Sequence, residues 1–152
     1  MRKVIIAIVA LSILTSAAYQ KAIPGGSWTF KSNHATANMF LPHGYSLAAL
    51  DTTKNPQPKF IIDFHSKLPA SNGKYTVVHG SPKTEDEVSI GTGISQGGAV
   101  TFYSSTGGNG KQVVNVTVAS GRITMSGSAI EMAAQANAKD IAPLTFNISI
   151  LQ

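Results

Sequence analysis

The feature that most constrains this chain is a period of two. Phe60, Ile62 and Phe64 alternate with Ile61, Asp63 and His65. Val114, Val116 and Val118 are separated by Asn115 and Thr117, and Ile123 and Met125 by Thr124. Leu144, Phe146, Ile148 and Ile150 alternate with Thr145, Asn147 and Ser149. Successive side chains on a strand point to opposite faces, so these runs are strands with one face buried. Their β-branched content agrees. Turn-forming stretches separate them: SKLPASNG before Tyr75, Asn109-Gly110 before Val113, and Ala119-Ser120-Gly121 before Ile123. Each is a hairpin signal. The pattern predicts an all-β domain, a mostly antiparallel β-sandwich of about nine short strands, with a small up-and-down β-barrel as the alternative. Trp28 and Phe30 share a parity and belong to its core. One segment breaks the pattern. Ile130–Ala142 is alanine-rich and suits either a short helix ended by Pro143 or a strand followed by a loop.

The first residues have the layout of a secretory signal peptide. Arg2 and Lys3 precede the apolar run Val4–Leu14, and Ser16-Ala17-Ala18 supplies small residues for cleavage after Ala18. A transmembrane helix needs roughly 20 apolar residues, so no transmembrane segment is expected in the mature chain. Residues 1–18 are read as the signal and 19–152 as one exported domain, periplasmic or extracellular. Two of the 12 basic residues leave with the signal, against 7 acids, so the mature charge is mild. The absence of cysteine excludes disulfides and thiolate chemistry. Arg122 is the one arginine after the signal and the lysines are scattered, which argues against nucleic acid.

Several stretches imitate catalytic motifs. In YSSTGGNGKQ, Gly110-Lys111 resembles the end of a P-loop, but Ser105 and Gln112 stand where a glycine and a Ser/Thr are needed. The VVNVTV that follows is a strand, and the glycines read as a turn. Gly93-Ile94-Ser95-Gln96-Gly97 fits G-x-S-x-G, yet no histidine follows His79, and it reads as a loop. Ser71-Asn72-Gly73-Lys74 fits S-x-x-K without its companion motifs and reads as a hairpin loop.

Of the four histidines, His34, His43, His65 and His79, His65 shares a strand face with Asp63, so the two are candidates for one metal ion. If SKLPASNG closes a hairpin, no register brings His65 and His79 together, and only Asp63 with His79 remains a diagonal pair. Glu85, Asp86 and Glu87 form an acidic turn, a weak candidate for calcium. No metal or other cofactor is expected. Tyr103 lies opposite in parity to Phe102 beside the glycine turn, which makes it the candidate exposed aromatic. Tyr103, Asn109 and Lys111 are therefore the candidate ligand-binding residues.

Together SWTFKSN, KLPASNGKYTVVHG, EVSIGTG, YSSTGGNGKQVVNVTVASGRITMSGSAIEM and APLTFNIS resemble small uncharacterised cell-envelope proteins of Bacteroidota. The resemblance implies an exported β-sandwich-like domain. Such proteins are commonly lipid-anchored, whereas this chain lacks the lipobox cysteine. No catalytic residue comes with the resemblance. The expected role is a non-enzymatic module that binds a glycan or an envelope protein through its loops. A hydrolase using carboxylates or histidines, including Asp63 and His65, is one alternative. A small-ligand carrier is the other, if the fold closes into a barrel.

Overall fold

The computed structural model describes residues 25–96 and 98–151; the expected signal peptide lies outside them. The described chain is all-β, with eleven strands and one short 3-10 turn, Gly108–Gly110. The strands are β1 (Gly25–Phe30), β2 (Asn33–Thr36), β3 (Met39–His43), β4 (Ser46–Leu50), β5 (Lys59–Phe64) and β6 (Gly73–Val77), followed by β7 (Glu87–Gln96), β8 (Ala99–Ser105), β9 (Val113–Ala119), β10 (Arg122–Ala134) and β11 (Asn137–Leu151). The pairing order is β2-β1-β11-β10-β9-β6-β7-β5-β4-β3, and β8 joins β7 to β10. Strands β10, β9, β6, β7 and β8 thus close a five-stranded ring, in line with the barrel alternative. The β6–β7 pair is parallel, so the ring is not a simple up-and-down one. Two three-stranded wings leave the ring, β11-β1-β2 from β10 and β5-β4-β3 from β7.

The alternating residues do what their period demands. Phe60, Ile62, Phe64, Val114, Val116, Leu144, Phe146 and Ile148 are all buried. Phe60 ties the wings together, its ring centroid 6.0 Å from that of Trp28 on β1 and 4.8 Å from that of Phe146 on β11. Inside the ring, Val77, Val88, Ile90 and Met132 fill the space. Ser105 is buried among them and satisfied, accepting from the Ile90 N–H and donating to the Val78 carbonyl.

Ring closure depends on β10. Its first half pairs with β9 through Ser126 and its last residues pair with β8 from Met132, with a register break between Gly127 and Ile130. At the break neither neighbour reaches its backbone. The stretch from Thr106 to Gln112 covers the gap instead. The Thr106 N–H donates to the Glu131 carbonyl at 3.0 Å. Gln112 donates from Nε2 to the Ala129 carbonyl and accepts at Oε1 from the Glu131 N–H. The Gly-rich stretch is therefore a seam over a bulge, which satisfies backbone groups that would otherwise stand unpaired.

Three local expectations are corrected. SKLPASNG and the Asn109-Gly110 turn do not close hairpins: β5 pairs with β4 and β7, while β8 and β9 never pair. Ser120-Gly121 does close one, with both residues at positive φ (51° and 71°) and Ala119 opposite Arg122. Ile130–Ala142 is not helical and does not end in a long loop. β10 runs to Ala134, and β11 resumes at Asn137 after a two-residue turn. Pairing with β11 and β8 overrides the alanine-rich composition.

Candidate functional site

The β7 strand has two unlike faces. Val88, Ile90, Thr92 and Ile94 point into the core. Ser89, Gly91, Gly93 and Ser95 point the other way, onto the outer surface of the β3-β4-β5-β7-β8 sheet. Strand register places the neighbours of that surface. Ser46, Asp63 and Ser89 form one cross-strand row. Leu41, Ala48, Ile61, Gly91 and Ser104 form the next, and Met39, Leu50, Lys59, Gly93 and Phe102 the third. Glycines at the centre keep the floor low. Around Ser89 and Gly91 lies an open groove of about 560 Å³. Its walls are Tyr45, which is 50% exposed, and the Gly80–Pro82 loop.

The polar groups in the groove are hydroxyls, one amide, one carboxylate and one imidazole. Ser46 Oγ donates to the Asp63 carboxylate. Gln135 Nε2 donates to Ser104 Oγ at 2.9 Å. His65 lies 3.1 Å from the Pro82 carbonyl through Nδ1. A carbonyl only accepts, so His65 carries its proton on Nδ1 and holds the wall loop in place. Asp63 is the one carboxylate lining the groove. Hydroxyl, amide and carboxylate groups of this kind can donate to and accept from a hydroxylated ligand. Beyond Gly93 the surface turns apolar. Phe102 is 49% exposed, and a side chain on Gly93 would begin 3.2 Å from its ring. Val100, Leu41 and Met39 are also exposed on this side.

The residues singled out from sequence are dispersed. Asp63 and His65 line the groove together, but neither is joined to a third metal-binding group. Among the described residues no three His, Cys, Asp or Glu side chains gather for a metal ion. His79 does not approach them through a β5–β6 hairpin, because those strands do not pair; its Nδ1 bonds the Ser105 carbonyl. Glu85, Asp86 and Glu87 turn to separate partners. Glu85 accepts from Ser66, Asp86 from Thr84 Oγ1, and Glu87 from the Lys83 and Thr84 N–H groups. They brace the loop before β7. Asn109 and Lys111 are exposed on the seam, outside the groove. Gly93–Gln96 of the G-x-S-x-G match is strand rather than loop, and another strand follows it. Asn72 of the S-x-x-K match accepts from the Val118 N–H at 2.7 Å and is structural.

Tyr103 is the main correction. It is buried, at 2% exposure, and Phe102 is the outward aromatic. Its ring packs edge-on to Phe30 with centroids 4.7 Å apart. Its hydroxyl accepts from Lys31 Nζ at 2.7 Å and donates to Asp140 at 2.6 Å, and Lys31 and Asp140 are themselves paired. The hydrogen bond from Lys31 holds the Asp140 carboxyl below its ordinary value, and the same bond, with that to Tyr103, holds Lys31 above its own. This cluster fastens the β1–β2 turn to β8 and β11.

Compared with protein-family models, curated proteins and solved structures, the chain matches none.

Proposed function

We propose that this is a non-enzymatic, exported binding protein of a bacterial cell envelope whose outer-face groove takes a neutral glycan. The observation that carries this reading is the groove itself: serine hydroxyls, an amide and one carboxylate set on a low floor, with an exposed tyrosine at the rim. Hydroxyl-rich ligands need such donors and acceptors, and an aromatic ring offers a face for the C–H side of a sugar. Export rests on the layout of residues 1–18, and the envelope on the resemblance described above. A protein partner is the second reading. It draws on Met39, Leu41, Val100 and Phe102, which leave the same face partly apolar.

A panel of neutral and acidic oligosaccharides, titrated calorimetrically against the mature chain and its Gly91→Val variant, tests this. Neutral glycans should bind the parent chain and lose at least tenfold in affinity in the variant. Binding unaffected by Gly91→Val, or no glycan binding at all, would sink the glycan reading and turn attention to an envelope protein on the apolar flank.

A further inference from the structure

A second cavity lies on the opposite side of β7 from the groove. It occupies about 350 Å³ where β1 and β2 face the end of β7 and the loop after β4. Its floor is apolar: Trp28 and Phe30 on β1, Ala35 on β2 and Ile94 on β7, each buried. Pro56 and Pro58 form one wall. Small-molecule sites run from about 300 to 1,000 Å³ and combine an apolar lining with a few polar groups. This cavity is at the lower end, the size of a molecule with one or two rings.

The wall is fastened before any ligand arrives. Asp51, 1% exposed, accepts from the Thr36 N–H on β2 and from the Thr53 N–H and hydroxyl in the loop. Lys54 donates to the His34 carbonyl, again joining loop to β2. A preformed wall spares a ligand the ordering cost. Lys54 is also the one charged residue lining the cavity. Its ammonium stands 3.7 Å from Asp51, yet its side chain is 47% exposed. It has three donors, and the His34 carbonyl takes one. The rim thus presents the half-exposed ammonium of the Lys54–Asp51 ion pair above an aromatic floor.

We propose that this cavity binds a small aromatic anion, ring against Trp28 and Phe30 and acidic group toward Lys54. It is independent of the glycan groove and does not require that reading to hold.

Trp28 is the chain's one tryptophan, so its emission reports on the floor directly. The test titrates the full chain with para-nitrobenzoate, a contact quencher, and with neutral para-nitrobenzyl alcohol. Quenching by the carboxylate should saturate, with affinity about fivefold above the alcohol, the upper end for an exposed charge pair. Lys54→Met should abolish that preference. So should Asn33→Glu, which sets a carboxylate on the rim at an exposed position and leaves the Lys54 contacts in place. Linear quenching, equal for both probes, would overturn the proposal. So would saturable quenching that survives both variants but disappears in Phe102→Ala, which would assign the probe to the outer apolar face. Gly91→Val should leave this titration unchanged.

Discussion

The two faces of β7 share one backbone and are built on opposite terms. The inner face presents branched side chains at Val88, Ile90 and Ile94, and even Thr92 is buried with its hydroxyl given to the Lys59 carbonyl. The outer face presents Ser89, Gly91, Gly93 and Ser95. Glycine within a strand costs roughly 0.5–1 kcal/mol relative to alanine. At Gly93 packing accounts for the glycine, whereas at Gly91 a larger residue would meet its neighbours only at ordinary contact distance. A glycine in a strand commonly marks close approach by another group. Over Gly93 that group is the Phe102 ring; Gly91 has none so close and lies in the floor of the groove. The inner face sets how stable the protein is, and the outer face carries the groove proposed to bind.

The largest test of this division is Ile90→Ala. It should remove about 2–5 kcal/mol of stability by cavity formation. Urea unfolding of parent and variant would show it, and a change under 1 kcal/mol would contradict the inner-face assignment. Asp51→Asn comes next, because it loosens the loop beside the end of the inner face. Hydrogen bonds, first from the Thr53 hydroxyl and then from the Thr36 N–H, hold the Asp51 carboxyl below its ordinary value. Its contribution is therefore present above the unfolded value of about 4 and is lost as pH falls through the lower folded value. The variant should be about 1.5–3 kcal/mol less stable at neutral pH. It should also lose part of the acid sensitivity of the parent; parallel pH profiles for the two would refute the role given to Asp51.

On the outer face the order of effects reverses. Gly91→Val should change stability by about 1 kcal/mol or less, since its nearest neighbours would lie at ordinary contact, 3.8 and 3.9 Å. It should nevertheless cost at least tenfold in the proposed glycan affinity, and melting and titration of the same sample separate the two quantities. Phe102→Ala should be smallest in stability, within about 0.5 kcal/mol. If it destabilises like a core residue, the outer face is structural after all.

What was legible in the sequence follows from the range of each interaction. Strand faces depend on adjacent residues, so the inward sets of β5, β9 and β11 could be read from alternation. The Ser120-Gly121 hairpin, too, is written in its own two residues. Pairing partners are not local. SKLPASNG and GGNG announce turns, but the strands beside them join neighbours elsewhere in the chain. The short edge strands β2 and β3 carry little alternation, and the described residues form eleven strands against an expectation of about nine. In β8 two consecutive aromatics left parity ambiguous. Phe102 faces out because it lies over Gly93, a cross-strand partner that no local reading supplies. The groove collects residues from four strands and four connecting segments, and of its members only Asp63 and His65 carried a chemical signal. Serines are too common to stand out.

The pairing of β1 with β11 has a consequence in time. Gly25–Phe30 find their hydrogen-bond partners at Leu144–Ser149, more than a hundred residues further along. Contacts so distant in sequence close late and slow the search for the native state. The first described strand can pair with β2 at once, but its other edge stays open until the last strand has been made. During that interval Trp28 and Phe30, which end as core, are apolar surface looking for a partner.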